Sequence, residues 1–214
     1  MESRAPLRPG DRAPDFSLPA LHRDGTVSLA DYRDRSPVLV ALFRGLYCPF
    51  CRRAVARMSL AAETLRDEGV ESLAVVATTA DNARLYFRFH PPRMSVAADP
   101  EFATHRSYGV PAPWRADIQE VFRATRVNPT GELPESLPIP EASSALSRLD
   151  GFAPTPTDRE DAARPFLQLL GQFLIDGDGI IRWTNVECAR EGLVGLGQFP
   201  SEQVLIAAAR AVMR

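Results

Sequence analysis

The sequence predicts an α/β domain whose central mixed sheet carries helices on both faces. Three patterns support this. Two continuous apolar runs read as strands buried on both faces, each is followed by a helical stretch, and a late pair of β-prone runs flanks a tight turn. A strand–helix–strand–helix order implies parallel neighbours joined by right-handed crossovers, and the late pair adds antiparallel strands.

The first strand is expected over Val38–Phe43, a wholly apolar run preceded by Ser36-Pro37. Cys51, Val55, Met58, Ala62 and Leu65 then recur at steps of four and three, the stripe of a helix that ends near Gly69 and packs on the sheet. Ser72–Ala77 reads as a second buried strand, and Asp81–Phe89 as a helix stopped by Pro91 and Pro92. Residues 112–170 differ in kind: these 59 residues hold 8 of the 19 prolines, so much of the segment is expected to be loop. Ile118, Val121 and Phe122 nonetheless share a helical face, and Thr157 with Glu160 has the spacing of a capping box. The segment therefore reads as an ordered insertion within one domain spanning residues 1–214. Phe173–Ile175 and Ile180–Thr184 flank Asp176-Gly177-Asp178-Gly179, a hairpin signal whose aspartates are turn chemistry rather than a calcium loop. A final helix follows Pro200, with Ser201 as N-cap and Val204, Leu205, Ala208, Ala209 and Val212 apolar.

Composition excludes several classes of function. Hydrophobic residues at 45% and charged ones at 24% are ordinary globular usage. A net charge of -2 provides no electrostatic footprint for nucleic acid or for an anionic membrane. All 25 basic residues are arginine, which reads as the coding bias of a GC-rich, bacterial genome. No apolar stretch approaches the roughly 20 residues needed to cross a bilayer. Residues 1–15 are charged and Pro-rich with no hydrophobic segment ahead of a cleavage site, so the expected compartment is the cytoplasm. There thiols are kept reduced, and two cysteines three positions apart are more often catalytic or metal-binding than a structural staple.

That pair is Cys48-Pro49-Phe50-Cys51, set where the first buried strand gives way to its helix. A thiolate at a helix N-terminus accepts from unpaired backbone N–H groups and is favoured by the dipole, which lowers its pKa. Cys48 is thus expected to be the reactive thiol, and Cys51, one turn in on the apolar stripe, its buried partner. Arg44, Arg52 and Arg53 add positive charge nearby. A zinc site needs two further ligands at comparable spacing, and only Cys188 and the dispersed His22, His90 and His105 remain, so no metal is expected.

Gly10–Leu18, Leu29–Tyr32 and Phe173–Gly179, taken with the dithiol at the strand–helix junction, resemble the thioredoxin-like superfamily in its alkyl hydroperoxide reductase and thiol-specific antioxidant (peroxiredoxin-like) branch. The resemblance covers residues 10–111 and 171–213. It implies a thioredoxin-like fold and thiol redox chemistry without a cofactor. The implied partners are a disulfide or peroxide substrate and an external thiol reductant, with a homodimer kept open. It also implies departures: the family's peroxide-reactive cysteine aligns with Cys51, its threonine with Cys48, its proline with Arg44, and its arginine before the hairpin with Leu170. Threonine and arginine normally hold the peroxide and stabilise developing charge, so their replacement weakens a peroxidase reading. Thioredoxins would place a cis-proline facing the dithiol, where this chain has Leu170-Gly171-Gln172.

Three readings follow. The leading one is thiol–disulfide exchange in which Cys48 attacks and Cys51 resolves. The second is a peroxidase with Cys51 oxidised and Cys48 resolving. The third, of another class, is a non-catalytic partner-binding module with a structural or zinc-bound pair. Tyr47, Pro49, Phe50, Arg44, Arg52 and Gln172 are the expected surroundings of the site. Tyr47 is either a rim residue or an ordinary loop aromatic. His90 and His105 are expected on the surface, and Trp114, Phe122 and Phe152 to pack rather than to line a pocket. Cys188, just past the hairpin, is expected at the same end of the sheet as Cys48, as a third redox or substrate-adduct site or else as a small buried residue.

Overall fold

The structure is a computed structural model that describes residues 5–112, 117–164 and 168–213. Trp114 lies outside the described residues. A small antiparallel hairpin of β1 (Ser17–Pro19) and β2 (Thr26–Ser28) comes first, followed by a single 3-10 turn at Leu29–Asp31. The core then runs β3 (Val38–Phe43), α1 (Pro49–Asp67), β4 (Glu71–Val76), α2 (Ala80–Phe89), β5 (Ser95–Ala98) and α3 (Ala103–Ser107). All six residues of β3 are buried, which is why the run shows no polar alternation. The predicted stripe of α1 is buried too: Cys51, Val55, Met58, Ala62 and Leu65 all lie in the core. Truncating Met58, fully enclosed there, to alanine would cost about 2–5 kcal/mol.

The inserted segment contains α4 (Ile118–Ala124), a two-stranded ribbon of β6 (Arg126–Val127) and β7 (Leu137–Pro138), α5 (Ile139–Leu149) and α6 (Pro156–Ala162). On α4, Ile118, Val121 and Phe122 are the half-covered positions, as their spacing predicts. The capping box is displaced, however. It closes between Thr155 and Asp158, not Thr157 and Glu160: Thr155 Oγ1 accepts the Asp158 N–H at 3.0 Å, and Asp158 accepts the Thr155 N–H at 2.9 Å. Pro156 at the first helical position starts the helix two residues earlier than expected, because its missing N–H and fixed φ suit that place. Pro140 likewise sits in the first turn of α5, so some of the prolines that suggested loop instead open helices.

After the insertion, β8 (Gly171–Ile175) and β9 (Ile181–Val186) form the predicted hairpin, and α7 (Glu202–Val212) closes the chain with Ser201 accepting the Val204 N–H at 3.3 Å. The main sheet has the order β5-β4-β3-β8-β9, with β3, β4 and β5 parallel and β8 and β9 antiparallel. This is the predicted mixed sheet. β5 and α3 were not legible: β5 is short and alanine-rich, weak in β propensity, and α3 is started by Asp99, whose carboxylate accepts the N–H groups of Ala103 and Thr104 at 3.1 and 2.7 Å. His105 on α3 is fully buried rather than on the surface, since that cap turns the short helix inward.

Register determines what meets at the site. Phe43 pairs with Val76, Leu42 with Gly171, and Gly171 with Val186. The exits of β3, β4 and β9 and the entry to β8 therefore share one edge. Arg44, Ala77, Leu170 and Glu187 are consequently brought together.

Candidate active site

Cys48 is the N-cap residue of α1, in extended backbone conformation, with Pro49 at the first helical position. It is 6% exposed, whereas Cys51, in the first turn, is completely enclosed. All three cysteines are free thiols. Burial pushes the Cys48 thiol up, but the Cys51 thiol facing it, the Arg44 guanidinium and the Cys51 N–H together bring it down to about 6. Cys51 moves the other way: burial, its hydrogen bond to Cys48 and the Cys48 charge hold it well above an ordinary thiol. The pair therefore loses its first proton from Cys48.

The loop leading into α1 is shaped for this. Gly45 has φ 141°, and a Cβ there would lie 2.8 Å from the Tyr47 ring, so only glycine lets that ring fold back beside the dithiol. Tyr47 is partly buried, and burial together with the Cys48 charge keeps its phenol protonated. Arg52 fixes the same loop from below: its Nη1 donates to the carbonyls of Leu46 at 2.8 Å and Tyr47 at 3.1 Å. Its other face donates to Asp150 at 2.7 Å and Ser147 at 3.2 Å, tying the insertion to the start of α1. Arg53 adds contacts to Glu132 at 2.9 Å and Asp150 at 2.8 Å. The charges of Arg52 and Arg53 are thus spent on the insertion's carboxylates. Phe50 packs under the loop at Gly197, where an added Cβ would meet its ring at 2.8 Å and Pro129 at 2.9 Å.

Arg44 is the cation that acts on the thiols. It is 2% exposed and forms an ion pair with Glu187, whose side chain is 1% exposed. Burial opposes the Arg44 charge, and Glu187, with smaller contributions from Cys48, Cys51 and Tyr47, more than restores it. Glu187 is saturated: its Oε1 accepts from Arg44 Nη2 and from the Gly197 N–H, each at 2.6 Å, and its Oε2 accepts from the Leu170 N–H at 3.1 Å and again from Arg44. One carboxylate thus fastens the loop after β3, the entry of β8 and the loop before α7. Sequence reasoning missed Glu187; its only signal was a place one residue beyond the hairpin strand that returns to the dithiol end.

His105 also lies within the field of Arg44. Burial first, then Arg44 and Arg106, press it down to about 3, so it is neutral. Neither ring nitrogen, nor Arg44 Nε, finds a hydrogen-bond partner among the described residues. Gln172, opposite Ala41 within the sheet, accepts from the Asn185 side chain at 2.6 Å. Cys188 follows Glu187 at the expected end of the sheet, half-buried and with left-handed φ 63°. Burial and the neighbouring Glu187 push its thiol up to about 12, which opposes a nucleophilic role. Phe122 packs partly buried against the core, while Phe152 lies under the Arg52 guanidinium at 3.7 Å and lines a cavity, contrary to expectation. Arg52 is what draws Phe152 to that place. Among the described residues no group of three or more His, Cys, Asp or Glu could hold a metal ion, and no helix is long and apolar enough to cross a membrane.

A family model described as AhpC/TSA family matches residues 9–132. No curated protein matches the chain. Among solved structures, a protein described as a thiol:disulfide interchange protein DsbE from Chlorobium tepidum is 21% identical, with TM-score 0.55 over 95% of this chain and 99% of that one. The reduced 2-Cys peroxiredoxin of Plasmodium vivax is 14% identical, with TM-score 0.63 over 97% and 83%. Peroxidoxin BcpB from Mycobacterium tuberculosis is 13% identical, with TM-score 0.59 over 96% and 98%. At these identities the likeness is one of fold, and the shared fold is thioredoxin-like.

Proposed function

The chain belongs to the AhpC/TSA family and is a thiol-dependent oxidoreductase, and from that premise we propose that its reaction is thiol–disulfide exchange at Cys48 and Cys51. The observation that carries this reading is the asymmetry of the two thiols. Cys48 is the less enclosed of the two and is held toward thiolate, while Cys51 is fully enclosed and held protonated. The Cys48 thiolate attacks one sulfur of a substrate disulfide, forming a mixed disulfide and expelling the other half as a thiolate. The mixed disulfide carries no charge on Cys48. Cys51 then loses the neighbouring charge that kept its proton, while Arg44 stays in place. Its acidity rises when it is needed. Cys51 releases its proton and attacks the Cys48 sulfur, the Cys48–Cys51 disulfide forms, and the second half of the substrate leaves as a thiolate. Two electrons pass from the protein to the substrate, and an external thiol reductant returns them.

The same asymmetry weighs against a peroxidase run from Cys51, because a peroxide-reactive sulfur must be both reached and deprotonated. Rapid mixing of the reduced protein with a protein disulfide and, separately, with hydrogen peroxide tests the choice. Oxidation is expected to be faster with the disulfide. Cys48→Ser should abolish it, and Cys51→Ser should accumulate a mixed disulfide on Cys48. Faster reaction with peroxide, with a sulfenic acid trapped on Cys51 in Cys48→Ser, would replace this reading by the peroxidase one.

A further inference from the structure

We propose that the cavity enclosed by α1, α2 and residues 150–158 is a specificity pocket for a neutral apolar group, aromatic or branched alkyl, on a small disulfide that reacts at Cys48. The cavity measures about 600 Å³, within the range of roughly 300–1,000 Å³ typical of small-molecule sites. The proposal rests on the exchange reaction assigned to the dithiol.

Position is the first argument. Leu46, two residues before Cys48, forms one wall, and Arg52 and Ala56 form the floor. Arg52 and Ala56, four positions apart, lie along one face of α1, and Cys48, its N-cap residue, stands four positions before Arg52. Arg52, at the cavity floor, therefore lies about one helical turn, roughly 5.4 Å along the axis, beyond the backbone of Cys48, the N-cap residue. Leu46 and Arg52, on either side of Cys48 in the chain, both line the cavity, so a group seated in it lies beside the start of α1.

Chemistry is the second argument. Leu85, Tyr86, Phe89 and Phe152 supply the walls, and Leu85 and Phe89 are 48% and 71% exposed, an unusual outlay of apolar surface for one short helix. Six of the polar side chains around the cavity, Arg52, Arg53, Asn82, Asp150, Thr155 and Asp158, are already committed to one another, and the exposed His90 contacts the Tyr86 carbonyl through Nδ1 at 3.1 Å. Arg52 and Arg53 are bound to Asp150. Asn82 donates to Asp158 at 2.9 Å and accepts from Thr155 at 2.7 Å. A charged ligand would have to break these bonds, whereas a neutral apolar group need only displace water. The third wall is built by the insertion and held by the Arg52–Asp150 pair. A pocket fixed in this way on both sides is preformed, which suits a compact small molecule.

The test compares 2,2′-dipyridyl disulfide, neutral and aromatic, with bis(2-hydroxyethyl) disulfide, neutral and small. Ala56 is exposed on the helix surface, so Ala56→Trp fills the cavity from its α1 side without entering the core. The ratio of kcat/KM for the aromatic over the small disulfide is expected to fall about tenfold in Ala56→Trp. Binding of dipyridyl disulfide to Cys48→Ser, read by saturation-transfer NMR, is expected to persist without the nucleophile and to be lost on adding Ala56→Trp. An unchanged ratio, or binding to Cys48→Ser that Ala56→Trp does not reduce, overturns the pocket. Dependence on Ala56 for a protein disulfide only would replace the small molecule by a protein side chain and also overturn it. Binding to Cys48→Ser with no disulfide reduced by the parent would leave the pocket standing and remove the exchange reaction instead.

Discussion

Replacing Glu187 by glutamine should loosen the fold and acidify the dithiol together. The carboxylate accepts two contacts from Arg44 and one N–H each from Leu170 and Gly197. It faces only donors. Glutamine turns one of those acceptors into an NH₂ group, so at least one donor meets a donor, and the Arg44 charge is left buried without its counter-ion. At an effective dielectric near 20, two unit charges about 4 Å apart attract by about 4 kcal/mol. Loss of one partner of a buried pair costs about 3–5 kcal/mol in measured systems, which is the same size. For a chain of 214 residues, at about 2–4 °C per kcal/mol, Tm should fall by about 10 °C. The Glu187 charge also opposes the Cys48 thiolate, so its removal should shift the pH midpoint of Cys48 alkylation by iodoacetamide downward. Both readings come from one purified variant, by scanning calorimetry and by mass-resolved alkylation between pH 4 and 9. Arg44→Met/Glu187→Gln should recover part of the stability and raise the midpoint, because the buried charge is gone. A variant that melts within a few degrees of the parent, or whose alkylation midpoint moves upward, would refute the assignment of Glu187 as the anchor of Arg44.

Two further outcomes follow from the same geometry. The Cys48 pKa is lowered to about 6 from 9.0, so between those values the folded reduced protein binds fewer protons than the unfolded chain and its stability rises with pH; it is lost as pH falls through about 6. The raised Cys51 and Cys188 values reverse the sign above about 9, and oxidation to the Cys48–Cys51 disulfide should remove the rise between about 6 and 9 while leaving the fall due to Cys188; a reduced protein whose Tm is flat from pH 6 to 9 would contradict the thiolate assignment. Arg52→Met removes the two carbonyl contacts that hold Leu46 and Tyr47 as well as the ion pair to Asp150, and should cost about 2–3 kcal/mol; it should also slow the attack by Cys48 on a protein disulfide while leaving the alkylation midpoint near 6, and an unaltered rate would show that the loop holds its shape without Arg52.

What the sequence by itself determined is what local chemistry can specify. β3 and β4 announce themselves because strands buried on both faces need contiguous apolar residues, α1 and α7 because an amphipathic helix must repeat every three or four residues, and the β8–β9 turn because Asp-Gly pairs suit it. The dithiol was legible for the same reason: its motif is contiguous, and its place at a strand-to-helix junction implies one thiol at the cap and one in the core. The rest of the site has no local period. Arg44 and Glu187 are 143 positions apart and meet only because β3, β8 and β9 align their ends. Arg52 and Asp150, 98 positions apart, meet only because α5 lies against α1. His105 looked like a surface residue because the aspartate that turns its helix inward precedes it in a loop. A lone polar residue reads the same in sequence whether water or a buried partner receives it, and that choice is made by tertiary packing, where an unpaired buried charge is too costly to persist.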